Sequence, residues 1–399
     1  MTSRPSPLTA PAGGNGPARQ LRIGVSCYPT VGGSGTVAVE LASALAARGH
    51  QVHVVSYESP VRLRPHRGLY FHEVDVSEYP LFKYPPYESA LSSRLSDLAR
   101  RYQLDIIHAH YAIPHSISAF LAREIVGGDR PRVVTTLHGT DITLIGSDPA
   151  YRPVTKFALE QSDVITAPSA FLKEETERDI CGECCVVVIP NFVDVRRFTP
   201  ELKSAAGRFA GADEWMLVHV SNFRPVKRIA DVVRIFARVN ERHPSRLVMI
   251  GDGPDRSVAE REAAAAGVSD RMMMLGAVTE VEAVVACSDA MLLPSAGESF
   301  GLAALEAMAC GVPVVGARAG GLPEVVTDGE TGILEEIGDV DRMASRLADL
   351  LSDPARARAA GLAARAAAEN KYRTDLIVPM YEAAYEAALA RPPRSPRGR

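Results

Sequence analysis

The stretch DAMLLPSAGESFGLAALEAMACGVPVVGA, residues 289–317, sets the fold class of this chain. An apolar run is followed by a loop that contains glycine, a helical segment near 299–310 and a second apolar run. Gly311 and Pro313 end the helical segment, because glycine favours the position after a helix and proline cannot continue one. Strand, helix and strand in this order predict a βαβ unit with parallel strands.

The same alternation extends over most of the chain. In the first half, we predict strands at 21–27, 51–57, 69–76, 104–110, 132–138, 163–168 and 185–190, with helices that include 35–48, 87–102 and 114–126. In the second half, we predict strands at 215–223, 246–253, 271–276, 289–295 and 312–317, with helices near 227–242, 255–267, 279–287, 299–310 and 339–352. Continuous Val and Ile runs are typical of parallel strands that are covered on both faces. The pattern therefore predicts an α/β fold of two Rossmann-like, doubly wound domains.

The chain is long enough for two domains, since it has 399 residues and a domain commonly takes about 100–200. The segment 196–212 contains Pro200, Gly207 and Gly211 and is the best linker candidate. We expect a disordered leader at 1–20, an N-terminal domain at 21–195, a C-terminal domain at 196–372, a helix at 373–390 that packs back on the N-terminal domain, and a basic tail at 391–399.

Bulk properties exclude several classes of protein. The net charge is −4 and 46% of the residues are hydrophobic, which argues against a nucleic-acid binder, a membrane-surface binder and a disordered chain. Six cysteines are too sparse for a disulfide framework. No run approaches the ~18 apolar residues of a membrane helix, and the leader has Pro and Gly where a signal peptide needs an apolar stretch. We therefore expect a protein of the reducing cytoplasm, with neither nucleic acid nor membrane as a partner.

A glycine-rich loop, Tyr28–Gly35, follows the first predicted strand. Ligands of doubly wound sheets bind at the carboxyl ends of strands, and glycines let the backbone approach them closely. The spacing Gly33-x-Gly35-x-x-Ala38 also fits a dinucleotide fingerprint, but the glycines begin five positions after the strand. A nicotinamide dinucleotide, another ligand at this loop and a plain tight turn all stay open.

Two glutamates mark the stretch quoted first. Glu298 is expected on the loop after the strand, and Glu306 about two turns into the helix. Carboxylates accept hydrogen bonds from paired hydroxyls, so this separation fits the hydroxyls of two sugar rings. The N–H groups of Ser299, Phe300 and Gly301 are expected at the positive end of the helix, where they would face phosphate. The alternative is a Ser-capped helix that carries its glutamates on the surface.

Two cations follow the first predicted strand of the second domain. Arg224 and Lys227 lie in the segment NFRPVKR, where a strand gives way to a helix. One interpretation is charge-assisted contact with a diphosphate. The other is a solvated basic helix start, which is less favoured because cations at a helix N-terminus oppose its dipole.

Histidines are concentrated in the first domain. His138 follows the strand at 132–138 and is predicted to donate a hydrogen bond at the ligand site, whereas His108 is predicted to be a core residue. His108, His110 and His115 also suggest zinc, but no Cys or carboxylate lies nearby at ligand spacing to complete the set.

Two further motifs have ordinary interpretations. Asp339-Val340-Asp341 resembles a D-x-D manganese site, but it opens a predicted helix, where Asp339 is better explained as the N-cap. Cys181 and Cys184 form a C-x-x-C motif without the second pair that zinc requires, and a redox role is the alternative.

The E-x(7)-E spacing of Glu298 and Glu306, the pair Arg224 and Lys227, and the glycine loop together resemble the retaining glycosyltransferases of the GT-B type. Longer segments are similar to the branch of that family that glycosylates L-malate in bacillithiol biosynthesis. They are RIGVSCYPTVGGSG (22–35), FHEVDVSEYPLFKYPPY (71–87), DIIHAHYAIPH (105–115), VVTTLHGTDIT (133–143), IPNFVD (189–194) and HVSNFRPVKR (219–228). The resemblance extends from about residue 21 to 390.

This resemblance implies transfer of N-acetylglucosamine from UDP-GlcNAc to the hydroxyl of L-malate, with the α configuration kept, as the first step of that pathway. The N-terminal domain would take the acceptor and the C-terminal domain the nucleotide sugar. It implies no cofactor, no metal and a possible homo-oligomer. The alternatives are a related GT-B transferase with another acceptor, a UDP-GlcNAc epimerase and, from the glycine spacing alone, a nicotinamide-dependent dehydrogenase.

The resemblance also implies roles for single residues. Glu306 would bind the uridine ribose, Glu298 the sugar hydroxyls, and His138 would lie over the donor sugar. The implied donor site comprises Gly32, Gly33, Asn222, Arg224, Lys227, Glu298, Ser299, Phe300, Gly301 and Glu306. The implied acceptor site comprises Ser34, Tyr111, His138 and Thr140, with Lys83 and Arg224 as possible charge partners. The implied catalytic group comprises Arg224, Lys227, His138 and Glu298.

Overall fold

The structure is a computed structural model that describes residues 19–30, 32–76, 80–203, 209–211 and 213–392. It divides into two compact units. Unit 1 comprises the described residues up to Pro190 and those from Asp375 onward, and unit 2 comprises those of Asn191–Thr374. Most of the predicted leader (up to residue 18) and of the predicted tail (from residue 393) lies outside the described residues.

The described part of unit 1 contains a sheet of seven parallel strands in the order β3-β2-β1-β4-β5-β6-β7. The strands are β1 Arg22–Ser26, β2 Gln51–Ser56, β3 Leu69–Glu73, β4 Ile106–His110, β5 Arg132–Thr136, β6 Val164–Ala167 and β7 Val186–Val188. Every residue of β4 and β5 is buried, as expected for central strands that are covered on both faces.

Helices connect these strands, except that β2 leads to β3 without one. They are α1 Gly33–Ala47, α2 Tyr87–Tyr102, α3 Ile117–Val126, α4 Thr140–Thr143, α5 Arg152–Gln161 and α6 Ala170–Asp179. An irregular helical turn, Ala112–Ser116, precedes α3, so the helix predicted at 114–126 begins later than expected. Ser169 caps α6, because its hydroxyl accepts the N–H of Leu172 at 3.1 Å.

Unit 2 has six parallel strands among its described residues, in the order β10-β9-β8-β11-β12-β13. They are β8 Trp215–Val220, β9 Ser245–Ile250, β10 Met272–Gly276, β11 Ala290–Leu293, β12 Val314–Ala317 and β13 Gly332–Glu335. The helices are α7 Ile229–Arg242, α8 Arg256–Ala265, α9 Glu282–Ala286, α10 Leu302–Ala309, α11 Leu322–Val325, α12 Val340–Leu351 and α13 Pro354–Lys371. The predicted α/β fold of two Rossmann-like domains is confirmed.

The last helix, α14 Thr374–Leu389, belongs to unit 1 from Asp375 onward. Its apolar face buries Tyr381 and Tyr385, and the Tyr385 hydroxyl lies 2.8 Å from Nδ1 of His108. Glu382 pairs with Arg48 of unit 1 through two contacts of 2.7 Å. These bonds attach the C-terminal segment to unit 1.

Each sheet has a point at which the direction of winding reverses. The chain leaves β1 toward β2 and β3, and then crosses to β4 on the other side of β1. In unit 2 the corresponding reversal lies between β8 and β11. Such switch points leave a crevice at the carboxyl ends of the two central strands, and ligands of these folds bind there.

Two helix starts in unit 2 differ from the predictions and one strand was missed, each for a local reason. The helix predicted at 299–310 begins only at Leu302, because Gly301 has a φ of +97°, outside the helical region. The helix predicted at 227–242 is a 3₁₀ turn, Pro225–Lys227, followed by α7, since Arg228 has a φ of +52° between them. Strand β13 was not predicted, because four residues at a sheet edge give little periodic signal.

Candidate active site

The loops after β8 and β11 meet at the switch point of unit 2. Nζ of Lys227 lies 2.7 Å from Oε1 of Glu298, with the two side chains 19% and 11% exposed. A backbone hydrogen bond of 2.8 Å from Ala296 to Val226 joins the same loops. The structure thus brings a predicted cation and a predicted carboxylate into direct contact.

Glycines after β9 and β12 hold these loops by close backbone packing. A Cβ on Gly251, whose φ is +120°, would lie 1.7 Å from the carbonyl oxygen of Ser221. A Cβ on Gly320, whose φ is +61°, would lie 2.1 Å from the carbonyl oxygen of Glu298. The N–H of Gly321 donates to that same oxygen at 2.7 Å. Glu298 is therefore fixed by its backbone as well as by Lys227.

The segment before α10 differs from the prediction in one respect. Gly301 is the N-cap residue of α10, so Ser299 does not cap the helix and the alternative of a Ser-capped helix is wrong. Glu306 is the fifth residue of α10, slightly more than one turn into it, and is only 6% exposed. Burial also excludes the alternative of a surface glutamate, and an ionised carboxylate at such a place needs a polar partner.

The side chain of Phe300 has a structural role in this loop. Its ring is buried and packs edge-on against Tyr372, with centroids 5.7 Å apart. The side chain anchors the loop in the core of unit 2, which leaves the backbone of Phe300 as its means of contacting a ligand. The side chains of Asn222 and Arg224 are exposed, and Arg224 forms no ion pair with the residues that the structure describes.

The switch point of unit 1 is lined by aromatic side chains. The ring of Tyr28 packs edge-on against Tyr111 and His115, with centroid distances of 5.4 and 4.6 Å. The hydroxyls of Tyr111 and Thr140 are hydrogen-bonded to each other. Tyr111 has a φ of +104°, which is rare for a residue with a side chain and is often found at functional sites.

The loops after β4 and β5 are tied together by Asp141. Its carboxylate accepts the N–H groups of Ala112 at 3.2 Å, His138 at 3.0 Å and Gly139 at 2.8 Å. Burial raises the pKa of Asp141 to about 6, against the lowering effect of these N–H donors. Asp141 was not among the predicted site residues, because its donors precede it in sequence and the usual Asx-turn pattern does not indicate them.

The side chain of His138 contacts that of His110. Nε2 of His138 lies 3.1 Å from Nδ1 of His110. Burial lowers the pKa of His138 to about 3, so the imidazole is neutral at pH 7. His108 is the predicted core residue: it is fully buried, and its Nε2 lies 2.7 Å from the Thr136 hydroxyl.

The glycine loop leads directly into α1. Gly32 is the N-cap residue, and a Cβ on Gly33 would meet no atom within 4 Å, so this backbone is open to a ligand. Gly35, in contrast, is tightly packed, because a Cβ there would lie 2.6 Å from the carbonyl oxygens of Tyr28 and Thr30. Ser34 is half-buried beside them, and Val31 lies outside the described residues.

The remaining candidates lie elsewhere or have other functions. Asp339 is the N-cap of α12 as predicted, since its side chain accepts the N–H of Arg342 at 3.1 Å, and Asp341 is exposed. Cys181 and Cys184 form a disulfide. Lys83 is exposed, with Nζ 5.4 Å from the centroid of the Tyr84 ring. Within the described ranges, no group of three or more His, Cys, Asp or Glu is arranged to hold a metal ion.

The structure also identifies a histidine that sequence analysis missed. His219 is fully buried in β8, with Nδ1 2.8 Å from the carbonyl oxygen of Leu292 and Nε2 2.7 Å from the hydroxyl of Ser221. A polar residue within an otherwise apolar strand was the available signal.

Comparisons with known proteins are consistent across the chain. The sequence profile of the family "Glycosyl transferases group 1" matches residues 205–367, and that of "Glycosyltransferase Family 4" matches residues 31–197. The chain is 44% identical to N-acetyl-alpha-D-glucosaminyl L-malate synthase of Bacillus anthracis, over 93% of this chain and 98% of the relative. It is 30% identical to a GDP-mannose-dependent phosphatidylinositol monomannoside mannosyltransferase of Mycolicibacterium smegmatis, over 70% of this chain and 75% of that protein.

Solved structures agree with the fold. Sucrose-phosphate synthase of Thermosynechococcus elongatus has a TM-score of 0.78 at 22% identity, and covers 93% of this chain and 100% of its own. Anabaena Alr3699/HepE, solved in complex with UDP-glucose, has a TM-score of 0.77 at 20% identity, with coverage of 92% and 100%. In the part of the chain that the structure describes, no helix has both the length and the apolar character needed to cross a membrane.

Proposed function

Because this chain belongs to the group 1 glycosyltransferases, we propose that it transfers N-acetylglucosamine from UDP-GlcNAc to the hydroxyl of L-malate with retention of the α configuration. The N-acetyl-alpha-D-glucosaminyl L-malate synthase of Bacillus anthracis, which aligns over nearly its whole length, supports this choice of acceptor. The observation that carries the proposal is the contact between Lys227 and Glu298 at the switch point of unit 2. A cation for a diphosphate and a carboxylate for sugar hydroxyls lie side by side there.

The donor is held by the loops of unit 2. Lys227 and the exposed Arg224 bind the diphosphate, and the carboxylate of Glu306 accepts hydrogen bonds from the ribose hydroxyls. Glu298 binds the hydroxyls of the transferred sugar. The proposed donor contacts in unit 2 further include Asn222 and the N–H groups of Ser299, Phe300 and Gly301.

Catalysis is electrostatic in this proposal. The departing UDP gathers negative charge while the sugar ring becomes positive, so Lys227 and Arg224 stabilise the transition state more than the ground state. One such donor contributes about 3–4 kcal/mol. The leaving phosphate accepts the proton of the malate hydroxyl, and the new bond forms on the face of the sugar that UDP leaves.

No covalent intermediate is required by this mechanism. Retaining glycosidases use a free carboxylate as the nucleophile. The buried carboxylate nearest to His138 in sequence is Asp141, and its oxygens already accept three backbone N–H groups. Asp141 is therefore a poor nucleophile and a good support for the loop.

The acceptor is held by the loops of unit 1. Hydroxyl groups come from Tyr111, Thr140 and Ser34. His138 is neutral, so it offers an N–H group without placing a charge in a buried site. The two carboxylates of malate need cations as well, and Lys83 is the proposed partner in unit 1. Since cations and N–H groups neutralise the diphosphate, we propose a reaction that needs no divalent metal.

Release of UDP from UDP-GlcNAc tests the proposal, with L-malate as acceptor and succinate as its matched control. Succinate keeps both carboxylates but lacks the hydroxyl, so UDP is expected with malate alone, together with an α-linked glycoside. Conversion of UDP-GlcNAc without any acceptor would instead identify an epimerase. UDP release with a different alcohol but not with malate would overturn the acceptor assignment.

A further inference from the structure

Strands β8 and β11 separate shortly before the donor-binding turn, which is the segment 222–227. Their backbone pairing covers only Leu217 with Ala290 and Val218 with Met291. His219 is the next residue of β8, and its side chain bridges to β11 in place of further backbone pairing. An imidazole thus occupies the point where the sheet opens.

The two hydrogen bonds of His219 have a defined direction. The carbonyl oxygen of Leu292 only accepts, so Nδ1 carries the proton and donates to it over 2.8 Å. Burial lowers the pKa of His219 to about 4, so the ring is neutral at pH 7. Nε2 then has no proton and accepts the hydroxyl proton of Ser221 over 2.7 Å.

The chain of bonds continues into the turn. Since the Ser221 hydroxyl donates to His219, its oxygen is available to accept the N–H of Phe223 at 3.2 Å. Phe223 has a φ of +39°, an uncommon conformation for a residue with a side chain, and its ring is completely buried. The hydrogen bond and the buried ring together hold the backbone immediately before Arg224.

We propose that His219 and Ser221 are positioning residues that hold the donor-binding turn, an inference that rests on the proposed function. They set the direction in which Arg224 and Lys227 leave the strand, while neither side chain contacts the substrates. Misplacement of catalytic groups by about 1 Å can lower rates about a hundredfold. A strand residue outside the substrate contacts therefore determines how well UDP-GlcNAc is used.

The substitutions Ser221→Ala and His219→Asn break the chain at different atoms. Alanine removes the hydroxyl that joins His219 to Phe223, whereas asparagine keeps an N–H near the position of Nδ1 and loses the atom that reaches Ser221. Ser288→Ala is the control, because the hydroxyl of Ser288, a buried residue of unit 2, donates to the carbonyl oxygen of Val284 at 3.1 Å. Because both variants break the same chain of hydrogen bonds, the test can still be made if one of them fails to fold.

We expect Ser221→Ala and His219→Asn to lower kcat/KM for UDP-GlcNAc about tenfold to a hundredfold. We expect the double variant to be no slower than the worse single variant, because both changes break one chain. We expect Ser288→Ala to lower the melting temperature by about as much as Ser221→Ala does. Its kcat/KM is expected to stay within twofold of the wild type. Equal kcat/KM for Ser221→Ala and Ser288→Ala, or additive losses in the double variant, would overturn the inference.

Failure of the proposed function would look different. The wild type would then release no UDP in response to malate, whatever the variants do. Affinity for UDP alone still tests the positioning role, since Arg224 and Lys227 hold the diphosphate. Weaker UDP binding by Ser221→Ala than by Ser288→Ala supports it, and equal binding contradicts it.

Discussion

At the scale of single residues, the ion pair of Lys227 and Glu298 is central. Its side chains are 19% and 11% exposed, so little solvent screens the contact of 2.7 Å. Each group orients the other before any ligand binds. A diphosphate that approaches Lys227 meets an ammonium group whose position is already set.

Lys227→Ala is expected to lower kcat about a hundredfold to a thousandfold, because a cation aimed at the leaving group is lost. Steady-state kinetics with UDP-GlcNAc and L-malate measures this. Lys203→Ala is the control, since Lys203 pairs with Asp289 in the same unit at 3.1 Å and is more than half exposed. Unchanged turnover in Lys227→Ala would remove it from the leaving-group role.

Glu306→Gln is expected to raise KM for UDP-GlcNAc about tenfold with little change in kcat. The proposed ribose contacts would be equally strong in the ground state and the transition state, so losing them would weaken binding alone. Glu336→Gln serves for comparison, because Glu336 is exposed at the surface of unit 2. A fall in kcat without a change in KM would place Glu306 at the reacting bond instead.

The raised pKa of Asp141 predicts a pH dependence of stability. The folded protein holds this proton up to about pH 6, whereas an unfolded aspartate releases it near 3.8. The unfolded state therefore binds fewer protons between these values, and the contribution of Asp141 to stability falls as pH rises from about 4 to 6. Urea unfolding at pH 4.5 and 7 should show a larger advantage of the wild type over Asp141→Asn at pH 4.5. An equal difference at the two pH values would contradict the assigned pKa.

At the scale of elements, the alternation of strands and helices was largely predictable, because parallel strands buried on both faces leave continuous Val and Ile runs. Helix starts were less predictable, since Gly301 and Arg228 take positive φ values that apolar periodicity does not reveal. Residues of the candidate site were predictable where a motif carries them, as with Glu298 and Lys227, which the structure brings into contact. Asp141 was missed because its partners include Ala112 on a separate loop, and sequence spacing does not reveal such neighbours.

Helix α14 is attached to unit 1 by a charged contact as well as by buried rings. Arg48 binds both carboxylate oxygens of Glu382 at 2.7 Å, and His50 lies 3.1 Å from one of them. Burial alone would raise the pKa of Glu382, but the hydrogen bonds from His50 and Arg48 outweigh it and lower the pKa to about 2. The carboxylate is thus strongly stabilised in its charged form.

Glu382→Gln is expected to lower the free energy of unfolding by about 2 kcal/mol, because a buried charged contact is lost. Turnover at saturating substrate should stay unchanged, since Glu382 lies outside the proposed site. Chemical denaturation measures the loss, and Glu386→Gln on the exposed face of α14 is the control. Equal stability of the two variants would mean that the buried rings alone hold α14.

At the scale of the whole molecule, one topological rule applies twice. Each unit reverses its winding once, and the proposed contacts lie on the loops beside that reversal. Unit 2 offers cations and carboxylates there, whereas unit 1 offers hydroxyls and neutral histidines. This chemical difference agrees with the proposal that the nucleotide sugar binds to unit 2 and the acceptor to unit 1.

Removal of divalent cations is expected to leave turnover within twofold. In the proposed mechanism, Arg224, Lys227 and backbone N–H groups supply the positive charge that the diphosphate requires. Initial rates with EDTA, and again after addition of Mg²⁺ or Mn²⁺, measure the effect. Activity that disappears with EDTA and returns with metal would contradict the proposal and direct attention to Asp339 and Asp341.

The central claim is that a diphosphate binds at the switch point of unit 2. A crystal structure of the protein with UDP tests it most directly. We predict density for the diphosphate against Arg224, Lys227 and the N–H groups of 299–301, with the ribose at Glu306. A diphosphate bound at any other place, with these groups facing solvent, would contradict the account.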